Sequence, residues 1–585
     1  MAASASSAGW RTEDPDPYGA HVAELDLAQG LPESGTTGLL GTPSRNTFAE
    51  ATKLLRDIRL GHEKQIKGVL VLFGSMTTGF ARAQEIAKAL ADVRTAGVPV
   101  VCHADELTNA TYWIASRGCD RVWVSPAGGV DTVGLATQLV YARRMLGELR
   151  VDVDMLQVGK YKGASEPLTR DGPSDEARES LLGMLTSIRS TWLDDIRKGR
   201  PGKELADAAE GGPWSPQQAL ERGLIDAVGY DTDARAEVRS RTTVDNVVVR
   251  FGARSKSADT PGLVSVVRLL SGAGEATGAP HVAVVRATGA ISMDSTPSIL
   301  GQSEGISREE LSRTLEKLRS DKSVRAVVLR IDSPGGSALA SDLLWTDLMA
   351  LRSVKPLIVS VGDMAASGGY YMACTGTRIF AQPSSIVGSI GVVGGKLSFR
   401  RSLDRVGISS EILPASSASG AAARAGYLSP LDPWDDATRE RMLTTMTAVY
   451  DLFVSRVAKG RGLSQEKVAG FAEGRIHAGR EGLGLGMVDD LGGLQDAIAY
   501  AREAGGLDAD APAYLVTEES GLARVLGLDD EAMQGGGLSA GMARSGAQSI
   551  MATYAPDLLK FAGAFEPMLR GEHTLVAVPF AFLLR

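Results

Sequence analysis

The feature that most constrains the fold of this chain is an internal repeat. The segment Arg121–Pro126 aligns with Arg378–Pro383, and Ser174–Glu179 matches Asp435–Glu440. The order of apolar and helical segments between them also recurs. At 585 residues the chain is too long for a single hydrophobic core. The repeat therefore predicts two homologous units in one chain.

Each unit alternates short apolar runs with segments of helical spacing. Short apolar runs predict buried strands, and strands alternating with helices predict a parallel sheet with helices on its faces. The fold class is therefore α/β. The sequence predicts strands over 67–73, 98–102, 282–285 and 356–361, and helices over 46–60, 80–96 and 311–318.

The repeat also divides the chain. The N-terminal repeat covers residues 1–235 and the C-terminal repeat covers 281–505. Residues 236–280 are more polar and are expected to form a linker that contains one or two strands, one of them over 247–251. Residues 506–585 have no counterpart in the first repeat and form a tail that the sequence leaves without a role.

Composition excludes several classes of protein. The net charge is −8 with no long basic run, which argues against a nucleic-acid partner. The three cysteines are an odd, low count, which argues against a disulfide framework and suits a reducing compartment. No Cys-x-x-Cys or His-x-x-x-His pair suggests a metal site, and we expect no cofactor.

No targeting or membrane-spanning signal is found. The N-terminal residues lack the basic and apolar regions of a secretory signal, and no run of 18 apolar residues occurs. The apolar stretch 574–584 is too short to span a bilayer. We therefore expect no signal peptide or membrane anchor in this chain, and a cytoplasmic or peripherally membrane-associated protein.

A serine surrounded by small residues follows the predicted strand over 356–361. Ala365, Ala366, Gly368 and Gly369 leave little side-chain bulk around the hydroxyl of Ser367. A nucleophile needs such space, and the following backbone N–H must point at the developing oxyanion. The stretch taken alone is equally typical of a tight turn.

The two repeats differ at the positions that carry chemistry. Ser367 aligns with Asn109, whereas Lys162 aligns with Ser419. The second repeat also has Gly335 and Gly336, whose bare backbone lets a ligand approach closely, and the first repeat lacks this pair. One copy thus carries a serine and the other a lysine.

A serine hydroxyl needs a base near neutral pH, and none of the six histidines lies in a motif that pairs with Ser367. Lysine can serve when burial keeps it neutral, and Ser–Lys pairs are a known variant of the catalytic triad. A single lysine is normally a solvated surface residue. The complementary repeats favour Lys162 as the base, and nothing distinguishes its neighbour Lys160.

Four motifs carry a resemblance to a known family: Ser333–Ser337, Ala365–Tyr370, Gly388–Gly391 and Tyr161–Pro167. They resemble signal peptide peptidase A (protease IV) in its long two-repeat form, over about residues 20–505. The resemblance implies tandem Clp-protease/crotonase-like repeats, each a spiral of ββα units.

The resemblance also implies roles for individual residues. Ser367 would be the nucleophile and Lys162 the general base, while Ser389 would orient the lysine. The N–H groups of Gly368 and of Gly335 or Gly336 would form the oxyanion hole. The expected activity is serine endopeptidase action on apolar peptides, such as cleaved signal peptides, by a homotetramer.

Two other functions remain open from the sequence. A crotonase-type acyl-CoA enzyme would share the fold, but would use a carboxylate pair in place of Lys162. A non-catalytic scaffold that binds peptides would not need the intact set of Ser367, Lys162 and the Gly335–Gly336 pair.

Overall fold

The computed structural model describes residues 18–33, 46–203, 205–252, 278–294 and 305–516, together with the backbone of residues 574–577. Within these residues the chain forms two α/β units, each built on a parallel sheet flanked by helices. The predicted fold class is therefore confirmed. The N-terminal residues searched for a signal and most of the tail lie outside the described residues.

Twenty strands are described. They are β1 (His21–Asp26), β2 (Ile66–Leu72), β3 (Val100–Thr108), β4 (Arg121–Asp131), β5 (Asp152–Val158), β6 (Ala227–Val228), β7 (Val247–Phe251), β8 (His281–Thr288), β9 (Ala290–Ser292), β10 (Gly305–Ser307), β11 (Val324–Ser333), β12 (Gly335–Ser337), β13 (Leu357–Ala366), β14 (Arg378–Ala381), β15 (Ile386–Gly388), β16 (Val392–Ser398), β17 (Ile476–Ala478), β18 (Asp490–Leu491), β19 (Ala513–Leu515) and β20 (Thr574–Ala577).

The α-helices of the described residues are α1 (Phe48–Arg59), α2 (Phe80–Thr95), α3 (Asn109–Gly118), α4 (Arg143–Glu148), α5 (Glu166–Thr169), α6 (Asp175–Gly199), α7 (Ala206–Glu210), α8 (Pro216–Glu221), α9 (Asp231–Thr242), α10 (Arg308–Ser320), α11 (Ala338–Arg352), α12 (Gly368–Ala373), α13 (Arg400–Asp404), α14 (Ala421–Ala425), α15 (Asp436–Arg461), α16 (Gln465–Phe471), α17 (Gly479–Leu485) and α18 (Leu494–Ala504). None of them combines the length and the apolar character needed to cross a bilayer.

The first unit is built on a six-stranded sheet in the order β6-β4-β3-β2-β1-β7, in which all pairs are parallel. The helix predicted over 46–60 is α1, which begins with a capping box between Thr47 and Glu50. Strand β7, in the expected linker, pairs with β1. The described part of that segment therefore packs with the first unit, and the domain boundaries themselves stay predictions.

The second unit is built on a sheet whose main path is β17-β15-β13-β11-β8-β19. Strands β11 and β13 are almost wholly buried, as their continuous apolar sequences predict. Strand β13 continues to Ala366, five residues beyond the predicted end of the strand. Strand β19 extends this sheet with residues that the sequence had assigned to the tail.

A third, mixed sheet joins the two units, in the order β10-β9-β12-β20-β16-β5. Strand β5 comes from the first repeat and pairs antiparallel with β16 of the second. The cores are also continuous across the units, because Ile386 and Ile476 of the second repeat pack into the core of the first. The two repeats therefore fold as one body around a shared boundary.

The cysteine count argued against a disulfide framework and for a reducing compartment, but the structure contains one disulfide. Cys102 on β3 and Cys119 at the end of α3 are joined, with their Cα atoms 6.0 Å apart, and Cys374 is free and buried. The number of cysteines did not indicate this pair. The two cysteines lie 17 positions apart in the sequence and become neighbours only when α3 folds back on β3.

An ion pair across the boundary caps a helix of the first unit. Asp363 of β13 accepts from the N–H groups of Ala81 (3.0 Å) and Arg82 (3.2 Å) at the start of α2. It also accepts from Nε of Arg82 at 2.6 Å. The residue before α2, Gly79, has no side chain to cap the helix. The second unit thus supplies the missing cap.

Replacing Asp363 with alanine should destabilise the protein by about 2–4 kcal/mol, because it removes the cap and leaves the half-buried Arg82 without this partner. Urea unfolding followed by circular dichroism measures the change. Asp92→Ala is the matched control, since Asp92 lies on the same helix in an exposed pair with Lys88. It should change stability by less than about 0.5 kcal/mol. Equal losses for the two variants would contradict the capping role.

Candidate active site

The candidate site lies at the carboxyl ends of three neighbouring parallel strands of the second sheet. Strand β11 pairs with β13, and β13 pairs with β15, where Ala366 lies opposite Gly388. Ser367 and Ser389 therefore follow directly on paired strand ends, and the N–H of Ser367 donates to the carbonyl of Gly388 at 2.7 Å. The carboxyl ends of strands are where open α/β sheets bind ligands.

Strand β5 carries Lys162 into this site. Its last residue, Val158, pairs with Val392, which lies three positions after Ser389. The chain then turns, and the N–H of Lys162 donates to the carbonyl of Gly159 at 3.0 Å. The pairing of β5 with β16 thus fixes where a lysine of the first repeat meets serines of the second.

The structure brings three predicted residues together. Lys162 Nζ lies 2.7 Å from Ser367 Oγ. It also donates to the carbonyl of Ser389 at 2.9 Å and lies 3.0 Å from the Oγ of the same residue. A neutral amine has two N–H groups and one lone pair. If both N–H groups donate to Ser389, the lone pair faces the Ser367 hydroxyl.

Burial controls the charge of this lysine. Lys162 is only 1% exposed, and removal from water lowers its pKa well below the ordinary value. Desolvation penalises the charged form and leaves the amine able to accept a proton near neutral pH. The arrangement therefore has the geometry of a serine beside a candidate general base, and burial favours the neutral form of that base.

The backbone at Ser367 is in an unusual conformation. Its φ is 56° and its ψ is −114°, at the junction between β13 and α12. Ser389 also has a positive φ, of 55°. A non-glycine residue held in such a conformation costs on the order of 1–3 kcal/mol, and this strain is concentrated at functional sites. Here it turns the Ser367 hydroxyl toward Lys162 at the end of the strand.

The predicted oxyanion glycines lie beside the serine. A Cβ atom on Gly368 would be 2.6 Å from Ser341 Oγ and 3.1 Å from the Cα of Gly335, so the start of α12 touches β12 closely. The N–H of Gly335 already donates to Ser333 Oγ at 3.1 Å. Of the predicted oxyanion donors, Gly368 and Gly336 remain, and Gly336 lies opposite Ile291 of β9 and Val576 of β20 in the mixed sheet.

The model of Peptidase family S49 matches residues 92–245 and 349–508, more than half of the chain. The chain belongs to peptidase family S49. One matched region falls in each α/β unit, as the internal repeat requires.

Three relatives illustrate the S49 similarity. The chain is 27% identical to the chloroplastic serine protease SPPA of Arabidopsis thaliana over 78% of its length, and 31% identical to Protease 4 of Salmonella typhi over 72%. Each alignment spans 66% of the relative's own length. A putative signal peptide peptidase SppA of Enterococcus faecium is 28% identical over 42% of this chain and 72% of that protein.

Sequence reasoning missed one residue that shapes the S49 site. A Cβ atom on Gly474 would lie 2.5 Å from the backbone N of Lys162 and 2.6 Å from its Cα and Cβ, and its φ is +81°. The repeat carried a signal for this residue. The tripeptide Ala-Glu-Gly that ends at Gly474 also occurs ending at Gly211. The offset between these two glycines equals the offset between the aligned segments that begin at Ala219 and Gly482. In the first unit Gly211 faces Trp214 instead.

A half-buried carboxyl group near the S49 site was also missed. Asp332 is the next-to-last residue of β11, shortly before Gly335 and Gly336 of β12, and its Oδ1 accepts from the N–H of Met364 at 3.2 Å. Burial and the nearby charge of Asp363 raise the pKa of Asp332 to about 7. One aspartate in a predicted strand does not indicate from the sequence that its carboxyl group will lie beside Asp363.

The positions that align with Ser367 and Lys162 in the other repeat have different roles. Asn109 stands at the equivalent strand-to-helix junction, where its side chain donates to the carbonyl of Gly134 at 2.9 Å and accepts from the N–H of Val133 at 3.1 Å. Ser419, which aligns with Lys162, is exposed. Among the described residues no group of three acidic, histidine or cysteine side chains is placed to hold a metal ion.

Proposed function

We propose that this chain is a serine endopeptidase that hydrolyses peptide bonds with a Ser367–Lys162 dyad. The observation that carries the proposal is the 2.7 Å separation of Lys162 Nζ and Ser367 Oγ, with the lysine buried. Membership of family S49 supports it. Both observations speak against an acyl-CoA enzyme, which would use carboxylates at this position.

In the acylation step Ser367 Oγ attacks the carbonyl carbon of the substrate while its proton passes to Lys162 Nζ. The new C–O bond produces a tetrahedral oxyanion, which the N–H groups of Gly368 and Gly336 stabilise. The C–N bond of the peptide then breaks as Lys162 returns the proton to the leaving amine. The product is an ester between Ser367 and the acyl part of the substrate.

The same residues complete the deacylation step. Neutral Lys162 removes a proton from a water molecule, whose oxygen attacks the ester carbonyl. The ester bond breaks, and the proton on Lys162 returns to Ser367 Oγ. The two hydrogen bonds from Lys162 to Ser389 hold the amine in place through both steps, which makes Ser389 a positioning residue.

The family resemblance extends the proposal to substrate, assembly and location. It supports apolar peptides such as cleaved signal peptides as substrates and a homotetramer as the active assembly. The expected location was the cytoplasm or the periphery of a membrane. The Cys102–Cys119 disulfide argues against a reducing compartment, because disulfides are rare in a reducing cytosol.

Labelling with a fluorophosphonate tests the proposal. The reagent should form its adduct on Ser367, located by mass spectrometry of the digested protein, because its hydroxyl lies 2.7 Å from the buried amine of Lys162. Ser367→Ala should lose both the label and peptide hydrolysis. Ser419→Ala, at an exposed serine, should retain both. Undiminished labelling of Ser367→Ala would reject the dyad.

A further inference from the structure

A short segment of the second repeat lies between the lysine and the serine that receives its hydrogen bonds. The carbonyl of Glu473 accepts from the N–H of Tyr161 at 2.7 Å. Two residues later, the carbonyl of Arg475 accepts from the N–H of Ser389, also at 2.7 Å. The segment is therefore bound at one end to the residue before Lys162 and at the other end to the hydrogen-bond partner of the lysine amine.

The side chain of Arg475 returns to the first repeat. Its guanidinium carbon lies 3.7 Å from the centre of the Tyr161 ring, and its Nη1 donates to Glu179 Oε1 at 2.8 Å. The hydroxyl of Tyr161 donates to the other oxygen of Glu179 at 3.3 Å. A planar guanidinium stacks well on an aromatic face. The ring is thus held on its face by the arginine and at its hydroxyl by a carboxylate of α6.

Arg475 contacts both of the groups that fix the place of Lys162. The backbone of the lysine follows Tyr161, which packs against the arginine side chain. The amine of the lysine donates to Ser389, which is bound to the arginine main chain. Ser389 also has a positive φ of 55°, and such a conformation persists only where surrounding contacts hold it.

The two repeats differ at the positions of this stack. With the same offsets as their neighbours in sequence, Gly212 stands opposite Arg475 and Ala418 stands opposite Tyr161. A glycine and an alanine cannot form a guanidinium–ring stack. Of the two sets of aligned positions, only the set that carries the serine and the lysine carries the stack as well.

We propose that Arg475 is a positioning residue for the dyad, acting through Tyr161 and Ser389. The inference rests on the proposed function, since it concerns the same lysine and serine. The guanidinium group fixes the Tyr161 ring, and the main chain of Arg475 fixes the serine that receives the hydrogen bonds of the lysine. Together they keep Lys162 Nζ at its distance of 2.7 Å from Ser367 Oγ. Arg475 itself takes no part in bond making or proton transfer.

The first test is Arg475→Ala, which removes the guanidinium group and leaves the main-chain hydrogen bond to Ser389 in place. The turn at Tyr161 should loosen, and kcat for a fluorogenic peptide should fall with KM unchanged. Displacement of a catalytic group by about 1 Å can cost about a hundredfold, and with one of the two contacts retained we expect a loss of about tenfold. Circular dichroism checks that the variant is folded.

Arg480→Ala is the matched control. Arg480 is also an arginine of the second repeat that reaches α6 of the first, where its guanidinium lies 3.7 Å from Asp194. Its side chain is paired with that carboxylate and not with the Tyr161 ring. The control should retain full activity. An equal loss in the two variants would show that the contact between the repeats matters in general, and would overturn the specific role of Arg475.

A pH–rate profile distinguishes positioning from a general loss of stability. Burial keeps the pKa of Lys162 well below its ordinary value. If the turn loosens, water reaches the amine and this pKa rises, so the increase of kcat/KM with pH should move up by about half a pH unit or more in Arg475→Ala. A variant that only contains less folded protein loses activity at every pH and keeps the midpoint. An unchanged midpoint would therefore overturn the inference.

A double-mutant cycle with Tyr161→Leu tests whether the arginine acts through the ring. Tyr161→Leu alone should cause a similar loss, and the double variant should lose no more than either single variant. Tyr161→Phe keeps the ring face and should retain most of the activity. Arg475→Lys keeps a cation near the ring, so its kcat should lie between those of the unmodified chain and Arg475→Ala, and it provides the measurement if the alanine variant does not fold.

Losses that multiply in the double variant would overturn the inference. If hydrolysis still depends on Ser367 in that case, the proposed function stands. Hydrolysis that persists in Ser367→Ala would instead reject the proposed function, and the inference with it.

Discussion

Replacing Lys162 with methionine should lower kcat/KM for a peptide substrate by about a hundredfold or more. Methionine has a similar length and fills the same buried space, but it has no lone pair able to take the proton of Ser367. General-base catalysis contributes about 10²–10⁴-fold, which sets the expected loss. Steady-state hydrolysis of a fluorogenic peptide measures it, and circular dichroism checks that the variant is folded.

Lys160→Met is the matched control for this experiment. Lys160 lies two positions away, is exposed, and contacts the site only through its backbone N–H, which donates to Glu473. Its ammonium group lies over the ring of Tyr161 at 5.2 Å. The control should retain full activity. A large loss in Lys160→Met, or substantial activity in Lys162→Met, would show that Lys162 is not the base.

The same assignment determines how the activity depends on pH. A general base acts only in its deprotonated form, so kcat/KM should rise as the pH increases through the pKa of Lys162. Burial lowers this pKa, and the rise should therefore fall well below pH 10.4, the ordinary value for lysine. A pH–rate profile measures it. A rise centred near pH 10.4 would indicate a solvated lysine and contradict the dyad.

Replacing Gly474 with alanine should reduce kcat by about a hundredfold, although residue 474 touches no substrate in the proposed mechanism. The added methyl group would lie 2.5 Å from the backbone N of Lys162 and must displace the lysine. A shift of about 1 Å in a catalytic group can cost about a hundredfold in rate. Hydrolysis kinetics and fluorophosphonate labelling should fall together, because Ser367 loses its base.

Gly462→Ala is the control that distinguishes displacement of Lys162 from strain in the backbone. Gly462 also has a positive φ, of +64°, but an added Cβ atom there would meet no heavy atom within 4 Å. Both variants should lose about 1 kcal/mol of stability through the left-handed conformation. Only Gly474→Ala should lose activity. Equal activity in the two variants would contradict the packing role of Gly474.

The proposed catalytic pair was predictable because the two repeats could be compared with each other. Asn109 and Ser367 both stand where a strand passes into a helix, which is the correspondence that the alignment predicted. Lys162 could be found because the first repeat carries a lysine where the second, which carries Ser367, has Ser419. Local patterns also predicted strands β2, β3, β7, β8 and β13 and helices α1, α2 and α10, since apolar runs and caps are encoded in neighbouring residues.

The features that the sequence did not reveal all depend on contacts between distant segments. The cap that Asp363 places on α2 joins residues about 280 positions apart, and no local pattern indicates it. The Cys102–Cys119 pair depends on how α3 folds back. The end of β13 was predicted five residues early, because small residues that typically form turns here remain in the strand through pairing with β15.

Strand β5 of the first repeat pairs with β16 of the second. The site can therefore form only at a late stage of protein synthesis. Residues of the first repeat leave the ribosome first, and that part of the chain holds a base without a nucleophile. The serine follows more than 200 residues later, and the two groups meet only after β16 has formed and paired with β5. Hydrolysis thus becomes possible only once both repeats have been made and joined. On the proposed mechanism, a chain that ends before the second repeat holds the base but no nucleophile, and it cannot hydrolyse peptides.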